Sequence, residues 1–315
     1  MNFGEFVARK MERSMAKHDQ KFKSTQPLPE GVTVKSFDYL DDGHEMHKLN
    51  FYRPAGVEGT LPLIVDVHGG AWIYGDKELN KNYCMHLAAK GYCVAGMSYR
   101  LVPEVTLGEQ VKDVFAALNF IAGKAREWGA EKKDVMLTGD SAGGHLSSLA
   151  LCICLDKELS ELYGVTPPPL EFCCLVMSHP VCEVHSILRG KDLQPLKGMR
   201  AFQSMFDKLM FGSDPKNAKL FKKAAFSQYS ENVVLPPVMI IGCERDVYLR
   251  HSLFLSRLLK QKSEEGKCAR FVFDFTGKKE EKDKLCHVYD IAYPDLPDSQ
   301  RAADAALAFF RDSRA

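Results

Sequence analysis

Residues 135–154 read VMLTGDSAGGHLSSLALCIC. An apolar run of strand length meets Gly139-Asp140-Ser141-Ala142-Gly143-Gly144, and a second apolar run follows at helical spacing. The cluster fits G-x-S-x-G with a strand before it and a helix after it, the context in which that motif presents a nucleophile. A strand that turns into a helix this abruptly leaves no room for bulky neighbours. Glycines at 139 and 143 relieve the crowding and leave the Ser141 hydroxyl exposed. The helix behind it offers N–H groups that no intrahelical carbonyl accepts.

Working outward, near-continuous apolar strands alternate with helices. The strands are 61–70 (LPLIVDVHGG), 92–100 (YCVAGMSYR), 171–180 (EFCCLVMSHP), 236–246 (PPVMIIGCERD) and 269–277 (ARFVFDFTG). The helices are 79–90, 108–129, 141–159, 251–261 and 298–313. This alternation predicts an α/β fold with a mostly parallel central sheet and helices on both faces. Before it, 31–40 and 47–54 alternate apolar and polar, as paired antiparallel strands do. Residues 181–230 break the rhythm and read as a long cover over a site. Phe3, Phe6, Val7, Met11 and Met15 recur at helical spacing within residues 1–24, so an amphipathic helix packing on the rest of the protein is expected there.

A serine needs a base, and in a sheet of this kind the acid and the base follow it in that order. Asp246 stands just after the strand PPVMIIG, with Glu244 as its rival. His287 is the only histidine after His251, and it falls between the last strand and the last helix. Attack on a carbonyl also needs donors for the oxyanion. The segment HGGAW (68–72) ends the strand LPLIVDV, so the N–H groups of Gly69 and Gly70, with that of Ala142, are the candidates. His68 itself reads as a hydrogen-bonding residue that shapes the loop.

The 315 residues carry 42 Lys and Arg against 41 Asp and Glu, a formal net charge of +1, which argues against a nucleic-acid partner. No apolar run approaches the ~20 residues that span a bilayer, so no stable membrane insertion is expected. The N-terminus lacks a signal-peptide core, and a cytoplasmic location is expected. Of the ten cysteines, Cys152, Cys154, Cys173, Cys174 and Cys243 sit inside apolar runs and read as small buried hydrophobes. Cys173, Cys174, His179, Cys182 and His185 cluster without a zinc-type spacing, so no metal is expected.

Five blocks together, HGGAW (68–72), SYRLVPE (98–104), GDSAGG (139–144), RDVYL (245–249) and HVYD (287–290), resemble the hormone-sensitive-lipase family of α/β-hydrolases over roughly residues 45–312. The resemblance implies a single α/β-hydrolase domain over 1–315 with a helical cap formed by 1–30 and about 181–230. It implies Ser141, Asp246 and His287 as the triad, Gly69, Gly70 and Ala142 as the oxyanion hole, and no cofactor. Asp113 is expected to support the YRLVPE block. Two departures stand out: Ala71 replaces the third glycine of HGGG, and Val288 replaces the usual glycine after the histidine. The implied activity is that of a serine carboxylesterase on a small-molecule ester of short to medium acyl chain. An amidase or aryl-formamidase and a carbohydrate acetyl esterase are the alternatives, and a binding protein without catalysis is a further one. Trp72, Tyr74, Tyr248 and cap residues from Met199 to Phe211 are expected to line the pocket. The edge strand 269–277 offers a route to a homodimer, while the adjacent charge run KKEEKDK (278–284) offers protection of that edge.

Overall fold

A computed structural model describes residues 3–23, 26–186, 200–213, 217–277 and 284–314. In chain order the elements are α1 (Phe3–Lys23), β1 (Val32–Asp38), β2 (Lys48–Pro54), β3 (Leu63–Val67), α2 (Lys81–Ala89), β4 (Cys93–Met97) and α3 (Leu107–Lys124). They continue with β5 (Val135–Asp140), α4 (Ala142–Leu155), α5 (Lys157–Tyr163), β6 (Phe172–Ser178), a 3-10 turn (Val184–Ser186), α6 (Arg200–Phe211), α7 (Asn217–Phe221) and α8 (Phe226–Tyr229). The last are β7 (Val238–Cys243), α9 (Leu249–Glu264), β8 (Phe271–Thr276), α10 (Tyr289–Ala292) and α11 (Pro297–Ser313).

The eight strands form one sheet in the order β1-β2-β4-β3-β5-β6-β7-β8. β1, β2 and β4 pair antiparallel, and all pairs from β4 through β8 are parallel. The parallel strands β3, β4, β5 and β7 are buried at every residue, which is why they read as unbroken apolar runs rather than alternating ones. Alternate side chains feed two cores. Val65, Leu137 and Ile240 face α3, α4 and α9. Ile64, Met136 and Met239 face α2 and α11. β8 lies at the sheet edge, and residues 278–283 of the neighbouring charge run lie outside the described residues.

Two local expectations change. The segment 141–159 forms two helices, because the Asp156 carboxylate accepts from the N–H groups of Glu158 and Leu159 and caps a new start. In α1 the inward stripe is Gly4, Ala8, Met11 and Met15, whereas Phe6 is 52% exposed. Phe6 lies off the i, i+4, i+7, i+11 row that meets the protein. α1 packs on α6, so the N-terminus and the insertion share one side of the molecule. Met199 and residues 187–198 of the expected cap fall outside the described residues.

Candidate active site

The parallel strands deliver three side chains to one end of the sheet, the position at which open α/β sheets gather their ligands. Ser141 sits in the turn between β5 and α4, with φ +49° and ψ −115°, a conformation sparsely populated for any residue with a side chain. The turn is pinned: Ser141 N donates to Ser178 O at 2.9 Å, and Val181 N donates to Ser141 O at 3.1 Å. Asp246 follows β7, and His287 follows β8 just before α10. His287 Nε2 lies 2.9 Å from Ser141 Oγ, and its Nδ1 lies 2.7 Å from Asp246 Oδ1. Tyr248 N donates to the same carboxylate oxygen at 2.7 Å. Burial pushes the Asp246 carboxyl upward, but the hydrogen bond and charge of His287, the charge of His179 and the Tyr248 N–H more than offset this. Its pKa falls below the ordinary carboxylate value. The rival acid, Glu244, is an exposed residue, and its backbone N–H continues the ladder to Thr276 O.

The glycine loop after β3 corrects one expectation. Gly69 is buried, and its N–H donates to Asp140 Oδ1 at 2.9 Å. That donor is engaged in anchoring the loop. Gly70 and Ala71 line the cavity beside Ser141. Successive left-handed residues, Gly70 (φ +100°), Ala71 (+52°) and Trp72 (+62°), curl the chain there. Gly70 is required, since a Cβ at that position would overlap the carbonyl of Tyr74. The sequence pointed to this loop, but only the fold shows Asp140 turning toward Gly69 and occupying its N–H. His68 stacks on Tyr99 with ring centroids 4.4 Å apart, and the Tyr99 hydroxyl donates to His68 O at 2.7 Å. Asp113 receives Arg100 N, Nε and Nη2 at 2.8–3.0 Å and so supports the YRLVPE block.

A cavity of about 480 Å³ opens over Ser141 and His287. Tyr74 and Tyr248 line it, and the rings of Tyr248 and His287 meet at 4.9 Å. Trp72 does not line it. That side chain is 1% exposed, and its Nε1 donates to His145 Nδ1 at 3.2 Å, with the ring edge-on to Phe206 of α6. His145 Nε2 in turn donates to Ala224 O at 2.7 Å, and burial holds this imidazole neutral, its pKa pushed down to about 4. α6 likewise gives Phe206, Met210 and Phe211 to the core rather than to the cavity. The lining comes instead from α1, through Met11, Ser14 and Met15, and from Val288 and Ile291. Periodicity had marked Met11 and Met15 only as packing residues. Val288 lies at φ +54°, which explains why glycine suits that position and makes this β-branched residue a strained exception.

A chain of polar groups runs beneath the glycine loop. Asn80 Nδ2 donates to Asp140 Oδ1 at 2.7 Å and to Asp66 Oδ2 at 3.0 Å. Burial, followed by the charge of Asp140, pushes the Asp66 carboxyl up to about 8. The folded-state pKa therefore lies above the unfolded-chain value. The stability tied to protonated Asp66 is complete below pH 3.8 and is lost as pH rises through about 8. Asp66→Asn mimics the protonated form and removes this loss. Its Tm is expected to exceed that of the wild type by ~5 °C at pH 8, with the gap closing by pH 4, as read by calorimetry. A gap that widens on acidification would contradict a neutral Asp66.

The fold and this geometry define an α/β-hydrolase with a serine nucleophile elbow, of the hormone-sensitive-lipase type. The family model BD-FAE matches residues 49–262, and the chain belongs to that family. Esterase B from Lactobacillus rhamnosis, solved with a bound inhibitor, superimposes with a TM-score of 0.90 at 30% identity, over 99% of this chain and 97% of that one. An acetyl-hydrolase of Streptomyces hygroscopicus is 27% identical over 82% of this chain and 78% of its own length. A probable isoprenylcysteine alpha-carbonyl methylesterase of Arabidopsis thaliana is 35% identical over 39% of this chain, and the match spans only 28% of that protein.

Proposed function

We propose that the protein is a serine carboxylesterase that hydrolyses small-molecule esters of short to medium acyl chain. The observation that carries this reading is His287 bridging Ser141 Oγ and Asp246 Oδ1 at the floor of a largely apolar cavity. His287 takes the Ser141 proton as the oxygen attacks the ester carbonyl, then returns it to the departing alcohol. Asp246 fixes the Nδ1–H tautomer and stabilises the imidazolium. The N–H groups of Gly70, Ala71 and Ala142 receive the oxyanion. Water, deprotonated by His287, then attacks the acyl-enzyme and releases the acid. No cofactor enters this sequence. Residues 1–30 and about 181–230 act as the cap in this reading, with α1 bounding the substrate space. The names of the acetyl-hydrolase and of the phosphonate-inhibited esterase B support the ester class and a short acyl group.

A cavity of about 480 Å³ lies within the range of small-ligand sites. In an assay with p-nitrophenyl acetate, butyrate, octanoate and palmitate, kcat/KM is expected to peak at acetate or butyrate. Palmitate is expected to fall at least ~100-fold below, since a chain that cannot seat misplaces the carbonyl. A maximum at palmitate would exclude the short-acyl reading, and no turnover of any ester would exclude the esterase. No described helix is long and apolar enough to cross a membrane. All ten cysteines are free thiols, which supports the reducing cytoplasm as the compartment. The open edge of β8 is where a second copy would pair, and sedimentation decides between monomer and dimer.

A further inference from the structure

A second histidine–aspartate pair lies behind the triad, and ester hydrolysis as described does not use it. His179, the residue after β6, is fully buried, as is Asp290 of α10. The Ser178 hydroxyl donates to Asp290 Oδ1 at 2.6 Å. A hydroxyl has one proton, so toward His179 Nδ1, 2.9 Å away, it accepts, and Nδ1 carries a hydrogen. His179 Nδ1 also lies 3.4 Å from Asp290 Oδ1. Asp246 Oδ2 is buried with no hydrogen-bond partner among the described residues, and the His179 side chain meets Cys243. The ring of His179 meets that of His287 edge-on at 5.8 Å, and Tyr289 packs edge-on from α10 at 5.4 Å.

We propose that His179, paired with Asp290, is a buried imidazolium and a positioning residue for the triad. Its positive charge lies beside Asp246 and His287 and keeps the triad carboxylate ionised. Among the described residues, the titratable groups that face His179 are Asp290, Asp246, Cys243, Tyr289 and His287. Those that face His287 are Asp246, Ser141, Tyr248, His179 and, by charge, Asp140. Burial alone would neutralise His179, but the hydrogen bond to Asp290, a contact to Cys243 and the charges of Asp290 and Asp246 carry its pKa up to about 10.

This inference rests on the triad reading, and the two are separated by one experiment. The pH dependence of kcat and KM for p-nitrophenyl butyrate is followed at the wavelength where phenol and phenolate absorb equally. In His179→Gln the positive charge beside the triad is removed. The acid limb of kcat/KM is expected to move up by about one pH unit. KM stays unchanged, and kcat on the alkaline plateau stays within about fivefold, since that variant keeps the nucleophile, base and donors. A uniform loss at every pH, or an unmoved limb, overturns the proposal while leaving the esterase intact. An inactive wild type instead overturns the esterase reading, and this inference with it. A second measurement needs no folded variant. In ¹⁵N-histidine-labelled wild type, one of the ten imidazoles is expected to remain doubly protonated at pH 8, and ten neutral rings would overturn the proposal.

Discussion

Ser141→Ala is expected to lower kcat/KM for p-nitrophenyl butyrate by at least ~10,000-fold with little change in Tm. The hydroxyl removed is the one 2.9 Å from His287 Nε2. The backbone bonds that hold the turn, Ser141 N to Ser178 O and Val181 N to Ser141 O, do not involve the side chain. Residual turnover reflects the oxyanion donors and binding alone. An alkyl phosphonate ester is expected to add covalently to the wild type at Ser141 and not to the alanine variant, as read by intact mass. Retained turnover together with retained labelling in Ser141→Ala would place the nucleophile elsewhere.

Gly143→Ala is expected to cost about 3 kcal/mol of stability and ~100-fold or more in kcat. Gly143 lies in the first turn of α4, where a Cβ would overlap the carbonyl oxygens of Val67 and His68 at the end of β3. Both are backbone atoms, and no rotamer relieves the overlap. The end of β3 must move, and with it Gly70 and Ala71, which line the cavity beside Ser141. Stability is read from the urea midpoint and activity from the butyrate ester. Gly123→Ala in α3, where a Cβ meets nothing within 4 Å, is the control and is expected to lose neither. If Gly143→Ala behaves like that control, the close approach of α4 to β3 does not set the geometry of the loop.

Much of the architecture was legible because a buried parallel sheet and its helices write different periods into the chain. β5 and α4 could be read from residues 135–154, with every residue of β5 buried and α4 buried from Ala142 to Ile153. Ser141, Asp246 and His287 could be named because strand order constrains where an acid and a base can follow the serine. The structure brings these three within hydrogen-bonding distance. What failed depended on contacts between residues far apart in the chain. Gly69 and Asp140 are 71 residues apart, and nothing local in HGGAW reveals that its first glycine N–H is taken. Trp72 looked like a pocket aromatic, yet His145, 73 residues on, receives its indole N–H. Met11 and Met15 carried only the spacing of a packing face, and the sequence does not say that this face closes over Ser141.

The sequence by itself determined the sheet, the sharp turn at Ser141 and the identity of the three residues that meet there. Those are consequences of local sterics, of hydrophobic period and of chain order. Tertiary structure alone decided that the Gly69 N–H is taken by Asp140, which side chains bound the cavity, and that His179 and Asp290 lie against the triad. Each of these depends on a side chain finding a partner across the sheet. Burial makes such pairings strong and selective, because a polar group taken out of water must be satisfied by whatever the fold places beside it.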